Sequence, residues 1–460
     1  MGLAVAPVRA MASQPDTDII LGTAESERQD DAADRPDISA RNAIVMGKDG
    51  TVYYERDADA EVKIASVTKV MTAIVALENA DLEDTITVDN AAATVGESSA
   101  GLQEGDTMTL ECALRALLMP SGNDAAMAIA DTLGADMSTD GSSAFDAFVA
   151  AMNEKAEEIG MENTLFTNPH GLDFNGWEGD LHSTARDVAK MLAYAMTIPE
   201  FRALTSSTDN VISVTGADGA QRDVELDELN TILGTNGNIG GKTGSTYEAL
   251  RCFAGAFSRD IGGEVYTVVL GCENEDTRWN DTLTLANWYY DHVANYPVAA
   301  SDATAADGST LVARATDSDW TDRLVDVTAQ DPSQTVEVFT LAGEVEQSFD
   351  LKTLSGSIHT GDDAGTMTLT QNGTKLATVQ LVAAQDQAAP NILEWFLVKL
   401  DRLARRVSGQ PLQAEAEIVN STAKASEAIA NDLANRQSET DSSEDESGSD
   451  NSADETADAA

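Results

Sequence analysis

The sequence is poor in cysteine, histidine and basic residues, and each shortage excludes a class of protein. Three cysteines in 460 residues cannot form a disulfide scaffold or a cysteine-rich zinc site. Four histidines, with no zinc-binding motif among them, give no basis for metal chemistry, so we expect neither a metal nor a cofactor. The 28 Lys and Arg residues stand against 79 Asp and Glu, a net charge of −51. That charge excludes general nucleic-acid binding, which requires a basic surface.

The chain also lacks an apolar run of the roughly 18 to 20 residues that a membrane-spanning helix requires. Its N-terminus nevertheless carries a short apolar run at residues 2–8, followed by the small-residue triplet Ala10-Met11-Ala12. These features are typical of the end of a secretory signal, and the acidic residues after them predict a linker. We therefore interpret residues 1–40 as a truncated signal remnant and an acidic linker. An ordinary N-terminal segment is the alternative.

Residue patterns divide the middle of the chain into two domains. Residues 41–296 mix hairpin patterns with helical ones, including a predicted helix at 66–79. Residues 297–386 carry short strand patterns between turn residues, which predicts a small all-β domain. The predicted fold class is α+β: an antiparallel sheet with flanking helices, followed by the all-β domain. We expect Cys252 and Cys272 to be buried thiols; a disulfide between them is the alternative.

The end of the chain combines a basic amphipathic segment with an acidic tail. Residues 387–409 include a predicted helix at 391–408, in which apolar residues recur at helical spacing. These are Ile392, Phe396, Leu400, Leu403 and Val407. Four basic residues lie within eight positions of this segment, as expected of a helix that lies on a membrane surface; packing on its own domain or on a partner is the alternative. Residues 410–460 predict an acidic, disordered tail.

A serine and a lysine stand one helical turn apart at the start of the predicted helix 66–79. Ser66 and Lys69 therefore share a helix face, and a helix N-terminus favours developing negative charge. A serine hydroxyl becomes a nucleophile when a nearby base removes its proton. A lysine can be that base if burial and neighbouring cations lower its pKa. Taken alone, the pair is more typical of a helix N-cap with a surface lysine.

Two further motifs follow along the chain. Ser121-Gly122-Asn123 lies in a predicted turn between two helices, and Lys242-Thr243-Gly244-Ser245 immediately precedes a predicted strand hairpin. The Gly-Lys-Thr sequence superficially matches a phosphate-binding loop. That loop requires a glycine at position 236, where this chain has Asn236, so we exclude it. Each of these motifs is weak by itself.

Together, in this order, the three motifs resemble those of penicillin-binding proteins and serine β-lactamases. The segments 101–106, 168–172 and 182–187 narrow the resemblance to the low-molecular-mass penicillin-binding proteins that are serine-type D-alanyl-D-alanine carboxypeptidases. The resemblance covers residues 42–294 and implies a β-lactamase/transpeptidase-like domain there. One departure is Ala249-Leu250, where the family usually has Ala-Gly, and it puts the substrate geometry in question.

The resemblance also assigns roles to particular residues. The implied catalytic residues are the nucleophile Ser66, its base Lys69 and the proton relay Ser121. The implied substrate-binding residues are Asn123, Lys242, Thr243, Gly244, Ser245 and Arg278. Gly244 would permit close approach of the extended substrate, and Arg278 would bind its terminal carboxylate; a surface arginine at a helix start is the alternative. We expect His170 to be structural.

The implied function is removal of the terminal D-alanine from peptidoglycan stem peptides through a Ser66 acyl-enzyme, with β-lactams as covalent inhibitors. Such an enzyme acts outside the cytoplasm, secreted or peripheral at the outer face of the cytoplasmic membrane. The motifs do not separate hydrolysis from transpeptidation. A serine β-lactamase is an alternative, disfavoured because no Glu-x-x-Leu-Asn pattern lies between Asn123 and Lys242. A catalytically silent cell-wall-binding protein is another, disfavoured by the intact motifs.

Overall fold

The computed structural model describes residues 18–24, 35–138 and 141–448. These residues form two compact units, with the boundary between Tyr290 and Asp291. The first unit combines helices with antiparallel sheets, and the second is built mainly from antiparallel strands. The predicted α+β class is therefore confirmed. The interpretation of residues 1–12 as a signal remnant lies outside the described residues.

The first unit contains the following elements. Its strands are β1 (Asp18–Ile20), β2 (Thr23–Ala24), β3 (Asn42–Gly47), β4 (Val52–Arg56), β5 (Thr85–Thr87), β6 (Thr107–Thr109), β7 (Val211–Thr215), β8 (Gln221–Glu225), β9 (Asn238–Thr246), β10 (Leu250–Arg259) and β11 (Gly263–Cys272). Its α-helices are α1 (Lys69–Asn79), α2 (Asn90–Thr94), α3 (Leu110–Leu118), α4 (Asn123–Met137), α5 (Ala144–Glu158), α6 (Ala185–Ala195), α7 (Pro199–Thr205) and α8 (Glu275–Asp291).

The main sheet of this unit has an open edge. Its strand order is β2-β1-β4-β3-β11-β10-β9, and a smaller sheet has the order β5-β6-β7-β8. All six residues of the central strand β3 are buried, as expected of a strand covered on both faces. At the edge, β9 pairs with β10 and with no other described strand. Cys252 and Cys272, on the adjacent strands, are free buried thiols, which confirms that prediction.

The helix that follows Ser66 lies in the core. Every residue of α1 from Lys69 to Ala76 is buried, and the helix contacts α3, α4, α5, α6 and α7. A helix enclosed in this way has no solvated face. Its first residue, Lys69, therefore carries an amine into the core, where it needs hydrogen-bond partners.

The prediction that residues 1–40 are only a signal remnant and a linker is wrong for residues 18–20. They form β1, which pairs with β4 in the main sheet. Arg56 donates to Asp18 from both Nε, at 2.6 Å, and Nη2, at 2.8 Å, and both side chains are buried. A three-residue strand held by a buried ion pair has too little apolar periodicity to be recognised from sequence.

The second unit contains the remaining elements. Its strands are β12 (Val293–Pro297), β13 (Ala313–Thr316), β14 (Leu324–Ala329), β15 (Thr335–Phe339), β16 (Val345–Leu351), β17 (Asp363–Gln371), β18 (Thr374–Ala383) and β19 (Glu417–Ile418), and its helices are α9 (Ile392–Ser408) and α10 (Thr422–Gly448). Six strands form a sheet in the order β16-β17-β18-β14-β13-β19, and β12 pairs with β15. Residues 293–296, which we assigned to the catalytic domain, therefore belong to this unit.

The prediction of a disordered tail at 410–460 is wrong for residues 417–436. Strand β19 pairs with β13, and α10 contacts β12 and β16. Ala425 is fully buried in the core of this unit, with Ile429 and Leu433 packed against the same core. These three apolar residues recur every fourth position, one face of a helix. The prediction extended the acidic composition of residues after 437 to residues 422–436, in which Glu427 and Asp432 are balanced by Lys424 and Arg436.

The predicted helix at 391–408 is present as α9, at Ile392–Ser408. Asn391 caps it and Glu394 completes a capping box, and the helix ends at Gly409 in the left-handed conformation. Within α9 only Val398 is buried, whereas its large apolar side chains are exposed. Among the described helices, none is long and apolar enough to cross a membrane.

The turn from β9 to β10 contains the departure noted in the sequence. Leu250 has φ +59°, in the left-handed region where a Cβ is crowded and glycine is favoured. Across the turn it pairs with Thr246, whose hydroxyl accepts from the Ala249 N–H. The family that the sequence resembles usually has glycine at this position, and glycine would adopt this conformation without strain.

Replacing Leu250 by glycine should relieve that strain. Because Leu250→Gly and Leu250→Ala both remove the side chain, their difference isolates the backbone effect. We expect the glycine variant to have a free energy of unfolding about 1 kcal/mol above that of the alanine variant. Urea unfolding followed by tryptophan fluorescence measures both, and equal stabilities would contradict the strain assignment.

Candidate active site

Ser66 lies in a 3-10 turn at Ala65–Thr68 that leads directly into α1. Strand β9 passes close against this turn. A Cβ added at Gly244 would come within 2.6 Å of the Ile64 carbonyl oxygen and 3.1 Å of a Val67 methyl. The glycine is therefore required by the packing of β9 on the Ser66 turn. The close approach of a substrate to Gly244 stays a prediction.

Three oxygen acceptors surround the Lys69 ammonium. Its Nζ lies 2.9 Å from Ser66 Oγ, 2.7 Å from Asn123 Oδ1 and 2.9 Å from the His170 carbonyl oxygen. The side chain of Lys69 is completely buried. The structure therefore brings together Ser66, Lys69 and Asn123, as the sequence motifs predict.

Burial is also the largest influence on the pKa of Lys69. It lowers the pKa of Lys69 well below the usual value, and the nearby charge of Lys242 lowers it further. Lys242 is buried as well, and its burial lowers its own pKa to about 7. Two ammonium groups in a poorly solvated space disfavour each other's charge, so a neutral Lys69 beside Ser66 Oγ is accessible at moderate pH.

The carbonyl that holds Lys69 comes from a tight loop at residues 168–172. The Asn168 side chain accepts from the N–H groups of His170 and Gly171, at 3.2 and 2.6 Å, and donates to the Leu172 carbonyl at 2.9 Å. Gly171 has φ +85°, and a Cβ there would lie 1.9 Å from the Ala65 carbonyl oxygen. The loop thus packs directly behind the Ser66 turn.

Ser121 occupies a strained position beside Asn123. Its φ is +60°, an uncommon value for a serine and one that costs about 1 to 3 kcal/mol. Its Oγ is buried and has no hydrogen-bond partner among the described residues. Lys242 Nζ instead donates to the Thr243 carbonyl at 3.1 Å and to Thr243 Oγ1 at 3.4 Å. Ser121, the proton relay that the resemblance implies, is therefore not hydrogen-bonded to Lys242 in this structure.

Arg278 reaches the β9 strand from α8. Its Nη1 donates to Ser245 Oγ at 3.3 Å, its Nη2 pairs with Glu275, and its guanidinium lies 4.4 Å from the Trp279 ring. The side chain is only 5% exposed. It is thus a buried cation beside Ser245, and the alternative of a solvated surface arginine is wrong.

A cleft of about 390 Å³ opens above these groups. Its lining residues are Ser66, Glu97, Ser98, Asn123, Leu172, Phe174, Ser245, Thr246, Tyr247 and Arg251. Ser66 and Ser245 are thus accessible, whereas Asn123, Lys69 and Lys242 are buried. Over the part of the chain that the structure describes, no group of three or more His, Cys, Asp or Glu residues could hold a metal ion.

Sequence reasoning missed three contributors to this site. The His170 carbonyl acts through the backbone, which any residue could supply, although its position in a family-like loop was a signal. The negative charge of Glu228 favours the charged form of Lys242, and Glu228 lies outside every motif. Arg251 lines the cleft on the strand after the Lys242 motif, and its place in a predicted strand hairpin gave no functional signal.

The chain is similar to known proteins over the first unit. A family model described as D-alanyl-D-alanine carboxypeptidase matches residues 29–274. The D-alanyl-D-alanine carboxypeptidase DacB2 of Mycobacterium tuberculosis is 35% identical over 256 residues, 55% of this chain and 83% of that protein. The D-alanyl-D-alanine carboxypeptidase DacF of Bacillus subtilis is 25% identical over 359 residues, 75% of this chain and 85% of that protein. The crystal structure of a Streptomyces DD-transpeptidase is 32% identical, with a TM-score of 0.51 over 55% of this chain and 98% of that chain.

The coupling between the two buried lysines gives a pH prediction. Lys242→Gln removes the positive charge that helps to keep Lys69 neutral, so the pKa of Lys69 rises. Because only neutral Lys69 can accept a proton, the acid limb of Ser66 acylation should move to higher pH. The rate of labelling by fluorescent penicillin across the acid and neutral range measures this shift.

A lysine elsewhere provides the control for that profile. Lys352→Gln removes an exposed ammonium that pairs with Asp363 in the second unit, and it should leave the acid limb in place. An acid limb that stays unmoved in Lys242→Gln would contradict the proposed coupling.

Proposed function

The chain belongs to the D-alanyl-D-alanine carboxypeptidase family, and on that premise we propose that Ser66 is its catalytic nucleophile. The protein is a serine-type D-Ala-D-Ala carboxypeptidase, a hydrolase of the penicillin-binding protein class. Its substrate is accordingly a peptidoglycan stem peptide, and β-lactams bind the same site. The observation that carries the residue assignment is the 2.9 Å contact between Ser66 Oγ and the buried Nζ of Lys69.

In the first step, Ser66 Oγ attacks the carbonyl carbon between the two terminal D-alanines. Lys69 Nζ accepts the hydroxyl proton as the new C–O bond forms, which requires the neutral amine. The burial that lowers the pKa of Lys69 supports this role. The Asn123 amide and the His170 carbonyl hold the amine against Ser66 throughout.

The attacked carbonyl oxygen becomes negatively charged and needs donors. We assign this role to the backbone N–H groups of Ser66 and Ser245, which lie on the turn and on the strand that line the cleft. Loss of one such donor typically costs about 100-fold to 1000-fold in rate. Close packing of the Ser66 turn on β9, through Gly244, keeps the two donors at a constant separation.

Collapse of the tetrahedral intermediate requires a proton on the departing D-alanine amine. We assign its delivery to Ser121, whose Oγ has no competing hydrogen bond among the described residues. Lys69 then restores the Ser121 proton, directly or through Lys242, by passing on the proton that it took from Ser66, so that Lys69 is neutral again. The C–N bond breaks, D-alanine leaves, and the acyl group stays on Ser66.

The substrate is aligned by the open edge of the main sheet. An extended peptide can add to β9 as a further strand, with Asn123 as a side-chain partner. We assign its terminal carboxylate to the Thr243 hydroxyl and to Arg278, which already donates to Ser245. Lys69 Nζ then takes a proton from the attacking water as its oxygen bonds to the acyl carbon, the bond between that carbon and Ser66 Oγ breaks, and Lys69 returns the proton to Ser66.

Replacement of the nucleophile tests the assignment. Ser66→Ala removes the only oxygen that can carry the acyl group, so it should abolish both the fluorescent penicillin adduct and the release of D-alanine from a pentapeptide. Ser183→Ala, which removes a buried hydroxyl bonded to Thr164, is the control and should keep the adduct.

Each of the other outcomes would indicate a different function or a different nucleophile. Rapid turnover of penicillin by the wild type would indicate a β-lactamase. Absence of any adduct would indicate a catalytically silent binding protein. An adduct that persists in Ser66→Ala would place the nucleophile elsewhere.

For location, we propose that α9 attaches the enzyme peripherally to the outer face of the cytoplasmic membrane. Its apolar side chains are about half exposed or more; they are Ile392, Leu393, Trp395, Phe396, Leu397, Leu400, Leu403 and Val407. Lys399 lies 5.4 Å from the Trp395 ring, while Arg402 donates to the Ser318 and Trp320 carbonyls. Arg402 thus fixes the helix to its own unit and leaves the apolar face available to lipid.

The lipid-facing role makes a direct prediction for membrane binding. The double variant Leu400→Ser/Leu403→Ser should weaken binding to vesicles of mixed anionic and zwitterionic phospholipid by about tenfold or more, because each leucine loses its transfer energy. The control Leu165→Ser/Val211→Ser removes two comparably exposed apolar residues of the first unit. Vesicle sedimentation measures both, and equal binding by the two double variants would contradict the proposal.

A further inference from the structure

Two arginines converge on one carboxylate beside the cleft. Arg278 Nη2 pairs with Oε1 of Glu275, and Arg251 Nε lies 3.5 Å from Oε2 of the same residue. The site therefore already holds a carboxylate between two guanidinium groups. Because one negative charge faces two positive ones, this local group keeps a net positive charge.

The two arginines come from different elements but meet on the same side of the sheet. Arg251 lies directly opposite Ser245 in the β9–β10 register, and residues paired across an antiparallel ladder project to the same face. Arg278 reaches Ser245 Oγ from α8. Both cations are therefore next to the strand on which we place the substrate.

Their accessibility differs, and the difference suggests separate tasks. The Arg278 side chain is 5% exposed, whereas that of Arg251 is 40% exposed and that of Glu275 is 51% exposed. Arg251 lines the cleft that Ser66 also lines, and Arg278 does not. Burial, with the neighbouring charge of Arg251, lowers the pKa of Arg278 to about 10, which reflects how poorly this cation is solvated.

We propose that Arg251 is a second binding residue for the terminal carboxylate of the substrate, acting from the open side of the cleft while Arg278 acts from the buried side. Glu275 shows that a carboxylate can approach both guanidinium groups at once, and it holds them side by side. The inference rests on the proposed function and adds a substrate-binding residue to it. Discrimination for a free C-terminal carboxylate is then shared by two cations.

The competing interpretation treats Arg251 as an exposed ion pair with Glu275. Such pairs contribute about 0 to 1 kcal/mol to stability and do not respond to the charge of a substrate. The two interpretations therefore differ in one measurable property, the dependence of the Arg251 effect on the charge of the substrate.

The test compares two peptides that differ only at the C-terminus, one ending in a D-Ala-D-Ala carboxylate and the other in the corresponding amide. Release of D-alanine or D-alaninamide by the full chain gives kcat/KM for each. Arg251→Gln should lower kcat/KM about tenfold for the carboxylate, because a charged hydrogen bond to the substrate is lost. It should leave the amide within about twofold of the wild type, and Arg251→Lys should recover part of the loss.

Arg314→Gln is the matched control, since its side chain is 41% exposed and pairs with Asp326 and Glu417 in the second unit. It should leave kcat/KM for both peptides unchanged. Equal losses for carboxylate and amide in Arg251→Gln would overturn the proposal, and so would the absence of any loss. If Arg251→Gln does not fold, as judged by its thermal midpoint, Arg251→Lys carries the same comparison.

Failure of the proposed function itself has a different signature. The wild type would then release no D-alanine from the carboxylate peptide and would acquire no penicillin label at Ser66. If the wild type is labelled and active but Arg251→Gln has no effect, only the proposed role of Arg251 is rejected, and the proposed function stands.

Discussion

The site depends on keeping an amine uncharged inside the protein. A lysine in the buried first turn of α1 is poorly solvated, and a second buried lysine nearby makes its charge still less favourable. Asn123 Oδ1 and the His170 carbonyl can accept the two N–H groups of the neutral amine, which compensates for burying it and leaves its lone pair for the Ser66 hydroxyl. Helix α1 carries Lys69, strand β9 carries Lys242, and the loop at 168–172 supplies a carbonyl acceptor.

Close backbone approach is the means by which these elements reach one another. Gly244 lets β9 contact the Ser66 turn, and Gly171 lets the loop at 168–172 pack behind it. Strained residues lie at the same places, since Ala65 and Ser121 both have positive φ values. Unfavourable conformations of this kind persist where the surrounding packing over-determines them, and they cluster at functional sites. The packing of the helical core offsets the energetic cost of these strained conformations.

Much of the site could be predicted from the sequence because its chemistry is carried by side chains at short, regular spacings. Ser66 and Lys69 share a helix face, so their contact follows from local geometry. Asn123 contacts Lys69 across 54 positions of sequence, and only the family resemblance of its motif pointed to the site. The His170 contribution is a backbone carbonyl, which no residue type identifies. The strand at residues 18–20 depends on a long-range ion pair with Arg56. The helix beginning at Thr422 was missed because it was grouped with the acidic residues after 437, although three apolar residues recur in it at helical spacing.

The free edge of β9 has a consequence for the behaviour of the protein in concentrated solution. A strand with unpaired backbone groups can accept any extended chain, including the same edge of another copy, and such edges are sites of aggregation unless they are protected. The net charge of −51 supplies a general protection, because copies of the chain repel one another before their edges can meet. Acidification, which protonates carboxylates, or high salt, which shortens the range of repulsion, removes that protection. Colloidal stability and an accessible catalytic edge are therefore linked through the acidity of the whole chain.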